Sequence, residues 1–133
     1  MHVTLQVGAE SYALPVENVV EVAEFDQPTP VPGAPREMLG VRNLRGEVLP
    51  VFDLAAVLAI PTDAEPERLV VAEARGRRAG LANAAVHEVG ELPATSQEAE
   101  SSLLAGAALT DEGLVGVLDV ERLFDELAVR WQT

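Results

Sequence analysis

The side chains of this chain that could carry acid–base or nucleophilic chemistry are few. His2 and His87 are its only histidines, and neither stands beside a serine in a nucleophile motif. The sequence contains no cysteine, and all nine basic residues are arginines, so a thiolate nucleophile and a lysine Schiff base are both excluded. Glu21 and Glu88 remain as a pair of carboxylates that could act as acid and base.

Metal and phosphate chemistry have no recognisable motif in the sequence. The carboxylates and histidines do not follow the spacing of a known zinc or calcium site, and no glycine-rich loop ends in Lys-Ser or Lys-Thr. We therefore expect no catalytic residue, no metal site and no cofactor, and we predict that the protein is not an enzyme. A small β-barrel hydrolase or lyase that uses paired carboxylates is the remote alternative, and bound metal would favour it.

The two glutamates are related by an internal repeat. Residues 14–24 and 81–91 align at an offset of 67, and after the loss of one residue the alignment continues at an offset of 66. Such a repeat predicts two similar β modules, about residues 1–66 and 67–133, within a single domain. The matching positions of the glutamates favour a structural role for them over catalysis. The matched pairs are Leu14 and Leu81, Val19 and Val86, Glu21 and Glu88, Val22 and Val89, Glu24 and Glu91, Gly40 and Gly106, Val51 and Val117, and Asp53 and Asp119.

Length and composition favour one core shared by both modules. In a chain of 133 residues, each half alone would bury only about 60% of its unfolded surface, which is marginal for independent folding. Hydrophobic residues make up 48% of the chain but aromatic residues only 4%. The packing must therefore rest on valine, leucine and alanine, and the β-branched residues among these suit pleated sheets.

Charge and hydropathy exclude several classes of partner. The chain carries 22 acidic against nine basic residues, a net charge of −13. Such a chain repels phosphate backbones and anionic lipids, so we expect no nucleic-acid binding. No apolar run approaches the roughly 18 residues that span a bilayer, and the N-terminus lacks the pattern of a signal peptide. We expect a soluble, cytoplasmic protein with no direct membrane insertion.

Local patterns predict mainly strands. Apolar and polar residues alternate over residues 3–7, and the pattern resumes at residues 12–14 after a turn, which predicts a β-hairpin. Asp53 and Asp119 each follow a buried strand pattern and precede an apolar run, where an aspartate can cap a helix. The second of these helices is predicted over residues 120 to about 130. Its apolar face comprises Leu123, Phe124, Leu127 and Trp131.

The two repeats diverge at one polar loop. Where the first repeat has Asn43 and Arg45, the second has Leu109 and Asp111. A divergence confined to such a loop indicates a role that only one copy has. The guanidinium of Arg45 can fork onto a carboxylate, and Glu21 is the best candidate in its own repeat. Two interpretations stay open, because the pair can hold the mouth of the first module or contact a partner, and both can be true.

The chain resembles a known family, chiefly over residues 40–54. This segment reads Gly-Val-Arg-Asn-Leu-Arg-Gly-Glu-Val-Leu-Pro-Val-Phe-Asp-Leu, and it follows Tyr-Ala-Leu-Pro-Val at residues 12–16 and Pro-Gly-Ala-Pro at residues 32–35. Together these motifs resemble the CheW family of bacterial chemotaxis coupling proteins. The resemblance implies an all-β fold of two tandem SH3-like five-stranded barrels that share a hydrophobic core. The short C-terminal helix predicted above would complete this fold.

The resemblance also implies a function. CheW-like proteins are non-enzymatic adaptors that couple chemoreceptors to a CheA-type histidine kinase. The expected partners are the regulatory domain of that kinase and the cytoplasmic tip of chemoreceptors, so the protein would be cytoplasmic and recruited to membrane-bound receptor arrays. A divergent CheW-like scaffold that serves another receptor or two-component pathway is the alternative within this class.

The resemblance assigns the partner-binding residues by position. Glu21 and Arg45 correspond to an acidic–basic pair beside the family's binding groove, and four further residues flank that groove. Two of the four are valines, and for these the alternative is an ordinary core position. The family pattern usually has aspartate where this chain has Asn83, so the charge is absent there while a hydrogen-bonding side chain remains. The predicted partner-binding residues are Val19, Glu21, Val22, Asn43, Arg45 and Gly46.

Overall fold

The fold consists of ten strands and two α-helices in the part of the chain that the structure describes. In this computed structural model the described residues are 1–93, 103–111 and 113–132. A single 3₁₀ turn, Val16–Asn18, precedes the third strand. The strands are β1 His2–Val7, β2 Glu10–Pro15, β3 Val19–Glu24, β4 Met38–Leu44, β5 Glu47–Asp53, β6 Arg68–Ala74, β7 Arg77–Asn83, β8 Ala85–Gly90, β9 Leu104–Thr110 and β10 Gly113–Leu118, and the helices are α1 Leu54–Val57 and α2 Val120–Gln132.

The strands form two five-stranded sheets. The first has the order β8-β1-β2-β10-β9 and the second the order β3-β6-β7-β5-β4, and we refer to them as barrel A and barrel B. The predicted fold class, all-β with a C-terminal helix, is confirmed. Among the described residues, no helix combines the length and apolar character needed to span a bilayer.

Each barrel contains strands from both sequence repeats. Barrel A joins β1 and β2 of the first repeat to β8, β9 and β10 of the second, whereas barrel B joins β3, β4 and β5 to β6 and β7. The repeats meet in two parallel pairs, β2 with β10 and β5 with β7, and in two antiparallel pairs, β1 with β8 and β3 with β6. Ala13 lies opposite Val117 in one parallel pair, and Gly80 lies opposite Val51 in the other. These positions are equivalent in the repeat, so the two junctions are copies of one arrangement.

The local predictions for the first hairpin and the two helix starts are confirmed. β1 and β2 pair in antiparallel register, and the burial of β1 alternates along its length. Asp53 accepts a hydrogen bond from the backbone N–H of Ala55 at 3.2 Å and starts α1. Asp119 accepts one from the backbone N–H of Arg122 at 3.1 Å and starts α2. An aspartate at the N-cap satisfies backbone donors that the helix itself leaves unpaired.

The core lies between the two barrels. Strand β6 is buried on both faces, because one face points into barrel B and the other into the core shared with barrel A. Helix α2 contributes Leu123, Phe124 and Leu127 to the shared core, as predicted, and the side chain of Trp131 lies outside the described residues. A second, smaller cluster fills the interior of barrel B. Its buried members are Leu49, Val51, Leu69, Val71 and Ala82.

The single tyrosine packs across one parallel junction. Tyr12 of β2 lies opposite Gly116 of β10, where a Cβ atom would stand 2.9 Å from the tyrosine ring. A larger residue at position 116 would therefore force the Tyr12 ring to move. The hydroxyl of Tyr12 donates a hydrogen bond to Glu10 at 3.1 Å. Burial, followed by the charge and the hydrogen bond of Glu10, raises the pKa of Tyr12 to about 12.

The raised pKa of Tyr12 gives a direct titration test. Because the protein has one tyrosine, tyrosinate absorbance in the near ultraviolet reports on Tyr12 alone. We expect its midpoint near pH 12 instead of the usual 10. The stability that this group contributes is complete below its unfolded pKa of 10.0 and is lost as the pH rises through about 12. Far-ultraviolet circular dichroism provides the control, and a midpoint near pH 10 with the fold intact would contradict the assigned packing.

Candidate functional site

The turn between β4 and β5 carries the residues that the sequence singled out. It has two residues, Arg45 and Gly46, whose φ angles are +54° and +86°. Positive φ at both central positions is typical of a type I′ turn, the geometry that matches the twist of a tight hairpin. The side-chain oxygen of Asn43 accepts a hydrogen bond from the backbone N–H of Gly46 at 2.9 Å. Asn43 and Gly46 therefore fix the turn from which Arg45 projects.

An ion pair joins this turn to the opposite edge of barrel B. The Nη2 atom of Arg45 lies 3.3 Å from Oε2 of Glu21 on β3, as the sequence predicted. Strands β3 and β4 are the two edges of the sheet, so the pair bridges the seam where the barrel closes. A second bridge lies along the same seam: Arg42 donates to the carbonyl oxygen of Glu24 at 3.0 Å and pairs with Asp26 at 3.3 Å.

The two partners of the Arg45–Glu21 pair differ in exposure. The side chain of Arg45 is 80% exposed, whereas that of Glu21 is 22% exposed. An ion pair this open to water contributes at most about 1 kcal/mol to stability. The pair places a guanidinium at the surface beside the carboxylate of Glu21.

The two predicted valines occupy different environments. Val19 is half-buried and packs against the shared core, in line with the alternative interpretation for this residue. Val22 is 44% exposed and points to solvent. The pairing register between β3 and β6 shifts by a local irregularity between Val19 and Glu21. The structure thus brings Glu21, Arg45 and the Asn43–Gly46 turn together and adds Val22 as an exposed apolar neighbour on β3.

Three residues of this region were not singled out from the sequence. Val20 and Val48 are exposed, and Val48 lies opposite Asn43 in the β4–β5 ladder. Arg42 is the third, because it forms the second bridge across the seam. The exposure of Val20 could have been predicted from the sequence, because Val20 and the predicted site residue Val22 lie on the same face of β3. The pairing of Val48 with Asn43 follows from the two-residue turn once the turn is recognised.

The other residues considered for chemistry do not converge on this site. Asn83 is 3% exposed at the end of β7, and its amide donates to the carbonyl oxygen of Leu81 at 3.0 Å. His87 is exposed on β8, with Nε2 3.2 Å from Oε1 of Gln6. The side chain of Glu88 lies outside the described residues. Within the described part of the chain, no group of three or more potential ligands is placed to hold a metal ion.

The chain is similar to known proteins along nearly its whole length. The model of the CheW-like domain matches residues 2–128. A probable chemotaxis protein CheW from Rhizobium etli is 30% identical and aligns with 93% of this chain and 86% of its own length, and the chemotaxis protein CheW of Thermotoga maritima is 27% identical, with 96% and 89% covered. The solved structure of the scaffolding protein TtCheW from Thermoanaerobacter tengcongensis superposes with a TM-score of 0.80 at 29% identity, covering 93% of this chain and 91% of that one.

Two substitutions in the turn should separate the contribution of its backbone geometry to stability from that of the Arg45–Glu21 ion pair. Gly46→Ala places a Cβ in open space, because no atom lies within 4 Å, so its cost comes only from the positive φ and should be about 1 kcal/mol. Arg45→Ala removes an exposed ion pair and should cost less than about 1 kcal/mol. Urea unfolding at equilibrium measures both. A larger loss for Arg45→Ala than for Gly46→Ala would show that the ion pair, and not the turn, stabilises this end of the barrel.

Proposed function

The chain belongs to the CheW-like domain family, and we propose that it is a non-enzymatic adaptor that couples chemoreceptors to a CheA-type histidine kinase. Its relatives are named as chemotaxis proteins, and its structural neighbour as a scaffolding protein. The protein acts in the cytoplasm and joins membrane-bound receptors by binding their cytoplasmic tips. No cofactor takes part in this role.

The observation that supports this proposal most directly is the exposed Arg45–Glu21 pair at the seam of barrel B. The protein carries a net charge of −13, and the 80% exposed guanidinium of Arg45 offers a cationic group to an acidic partner. Val22 is exposed on β3, the strand that carries Glu21, and Val48 is exposed on β5, the strand that follows the Arg45 turn. Apolar contact flanked by a fixed charge is the composition expected for a specific protein interface.

Scaffolding supplies the mechanism of the proposed function. The regulatory domain of the kinase binds through contacts between barrels, and the receptor tip binds in the groove beside Glu21 and Arg45. Each contact is weak, but an adaptor that holds both partners raises the effective concentration of one near the other. If the adaptor prefers one conformation of the kinase, its binding also shifts the kinase toward that conformation. The predicted binding residues Val19, Glu21, Val22, Asn43, Arg45 and Gly46 belong to this proposal.

A calorimetric titration tests the coupling role. The protein is titrated with the regulatory domain of the CheA-type kinase from its own genome. Saturable one-to-one binding, with a Kd in the tens of micromolar or tighter (roughly −6 kcal/mol or better), supports the proposal. Absence of binding under these conditions would favour the alternative, a CheW-like scaffold for another receptor or two-component pathway.

We expect Arg45→Asp to impair binding of the kinase domain or of the receptor tip without unfolding the protein. The substitution places a carboxylate opposite Glu21 and reverses the charge at the seam, and a like-charge contact at an interface can cost several kcal/mol. Arg122→Asp is the matched control, because Arg122 is an exposed arginine on helix α2 that is also paired with a carboxylate, that of Asp119. Unchanged affinity for both partners in Arg45→Asp, with a native circular dichroism spectrum, would contradict the site assignment.

A charge swap separates the two roles of the pair. In the double variant Glu21→Arg with Arg45→Glu, the ion pair across the seam can form in the opposite direction. We expect its stability to return to within about 1 kcal/mol of the parent protein, while partner binding stays impaired because the partner meets inverted charges. Recovery of both stability and binding would mean that the pair only holds the seam closed.

A further inference from the structure

The seam of barrel B closes without a ladder of backbone hydrogen bonds between its two edge strands. β3 and β4 lie at opposite ends of the sheet order, and in the part of the chain that the structure describes no register pairs one with the other. The directions of the intervening strands make β3 and β4 antiparallel where they face each other. Their relative position therefore depends on side chains and on the loop that joins them.

Two arginines of the β4–β5 hairpin cross the seam in one antiparallel register. Arg42 donates to the backbone of Glu24. Arg45, three residues further along the chain, pairs with Glu21, three residues back on β3. Because an antiparallel pair recedes on one strand as it advances on the other, both contacts belong to the same alignment of β3 with the hairpin. A displacement of β3 at Glu24 also displaces Glu21, since three residues of extended strand separate them by only about 10 Å.

Arg42 is the more constrained of the two arginines. Its side chain is 20% exposed, against 80% for Arg45. Its Nη1 atom donates to the backbone carbonyl oxygen of Glu24 at 3.0 Å, and its Nη2 atom lies 3.3 Å from Oδ2 of Asp26. A hydrogen bond to a carbonyl oxygen holds the main chain itself, whereas the Arg45–Glu21 pair joins the ends of two rotatable side chains. A charged donor also forms a stronger hydrogen bond than a neutral one.

The proline loop, residues 25–37, holds the adjoining part of β4 at the seam. Thr29 and Val41 exchange two backbone hydrogen bonds of 2.9 Å. Gly40 permits this approach, because a Cβ atom there would overlap the carbonyl oxygen of Thr29. Arg42 follows Val41 directly and is the next anchor toward the turn. Beyond Arg42, the polar contact across the seam among the described residues is the exposed pair of Arg45.

The internal repeat supports a joint role for the two arginines. At the offset of 66, the counterpart of Arg42 is Ala108 and that of Arg45 is Asp111. At the offset of 67, Glu21 is matched by a second glutamate. The second repeat thus keeps the glutamate but has neither arginine. The two arginines occur together in the one copy that carries the candidate site.

We propose that Arg42 is a positioning residue for the partner site. It holds the edge of β3 against the β4–β5 hairpin, so that Glu21 and Arg45 meet a partner at a fixed separation. Arg42 acts through this pair, because most of its own side chain is buried and its donors are engaged within the chain. A site that is fixed before binding loses less conformational freedom on binding. The inference rests on the proposed function, since it concerns the partner that binds at the seam.

Amide hydrogen exchange in the full chain, resolved by NMR, tests whether Arg42 closes the seam. Arg42→Met keeps an apolar stem and removes both hydrogen bonds. We expect exchange at the amides of Thr29 and Val41 to accelerate about tenfold or more relative to the amides of barrel A. Arg68→Met is the matched control, because Arg68 also donates to a backbone carbonyl, that of Glu67, but lies on β6. Unchanged exchange at Thr29 and Val41 in Arg42→Met would overturn the proposal.

A double-mutant cycle of partner affinity tests whether Arg42 acts through the ion pair. Affinities for the kinase domain and for the receptor tip are measured by calorimetry in the parent protein, Arg42→Met, Arg45→Ala and the double variant. We expect each single variant to lose about fivefold or more in affinity for the same partner, and the double variant to bind within about twofold of Arg45→Ala. An arginine that only stabilised the fold would leave the affinity of the folded protein unchanged. Losses that multiply in the double variant would contradict an action through the pair.

The outcomes separate this inference from the proposed function. If the parent protein binds neither partner, the proposed function fails, and the amide exchange alone decides whether Arg42 closes the seam. If the parent binds a partner and Arg42→Met binds it equally well, the inference fails while the function stands. Should Arg42→Met not fold, Arg42→Lys keeps the charge but lacks the planar fork that reaches both acceptors, and it should weaken binding severalfold. Binding and exchange equal to those of the parent in Arg42→Lys would then overturn the inference.

Discussion

The exchange of strands between the two sequence repeats is the constraint on which the rest of the structure depends. Each barrel combines strands of both repeats, through the parallel pairs β2–β10 and β5–β7 and the antiparallel pairs β1–β8 and β3–β6. Neither barrel is built from the strands of one repeat alone. The strands that cross between halves, β6 and β7, are also among the most buried, so the shared core and the barrel walls form together. The two barrels therefore share one hydrophobic core.

The candidate site contributes little to the stability of the protein. The type I′ turn and the hydrogen bond from Gly46 to Asn43 set the position of Arg45, and the ion pair with Glu21 sets its direction. Exposed ion pairs contribute at most about 1 kcal/mol, whereas truncating a buried leucine costs about 2–5 kcal/mol. The residues proposed to meet a partner can therefore change while the fold persists, because the shared core carries the stability.

The sequence predicted local features better than long-range ones. The caps at Asp53 and Asp119, the first hairpin and the approach of Arg45 to Glu21 follow from residue chemistry and were all found. The two-barrel class came from the resemblance, and the repeat supported it. The exchange of strands was not predictable, because period-two alternation tells which face of a strand is buried but not which strand lies beside it. For the two valines predicted to flank the groove, the alternative was a core position, because valine is usually buried. Val19 packs against the shared core, whereas Val22 is exposed.

The two copies agree at the centres of their parallel junctions and differ at the turn ends of the barrels. At the junction centres Ala13 lies opposite Val117 and Gly80 opposite Val51, and all four residues are buried. At the turn ends the charged side chains are partly exposed, so the Arg78–Glu73 pair contributes little net stability, and its counterparts Ser11 and Gln6 are uncharged. A substitution is therefore less costly at the turn ends than at the buried junctions. The copies differ accordingly: one has Arg45 and Arg78 at its turns, and the other has Asp111 and Ser11 at the equivalent positions.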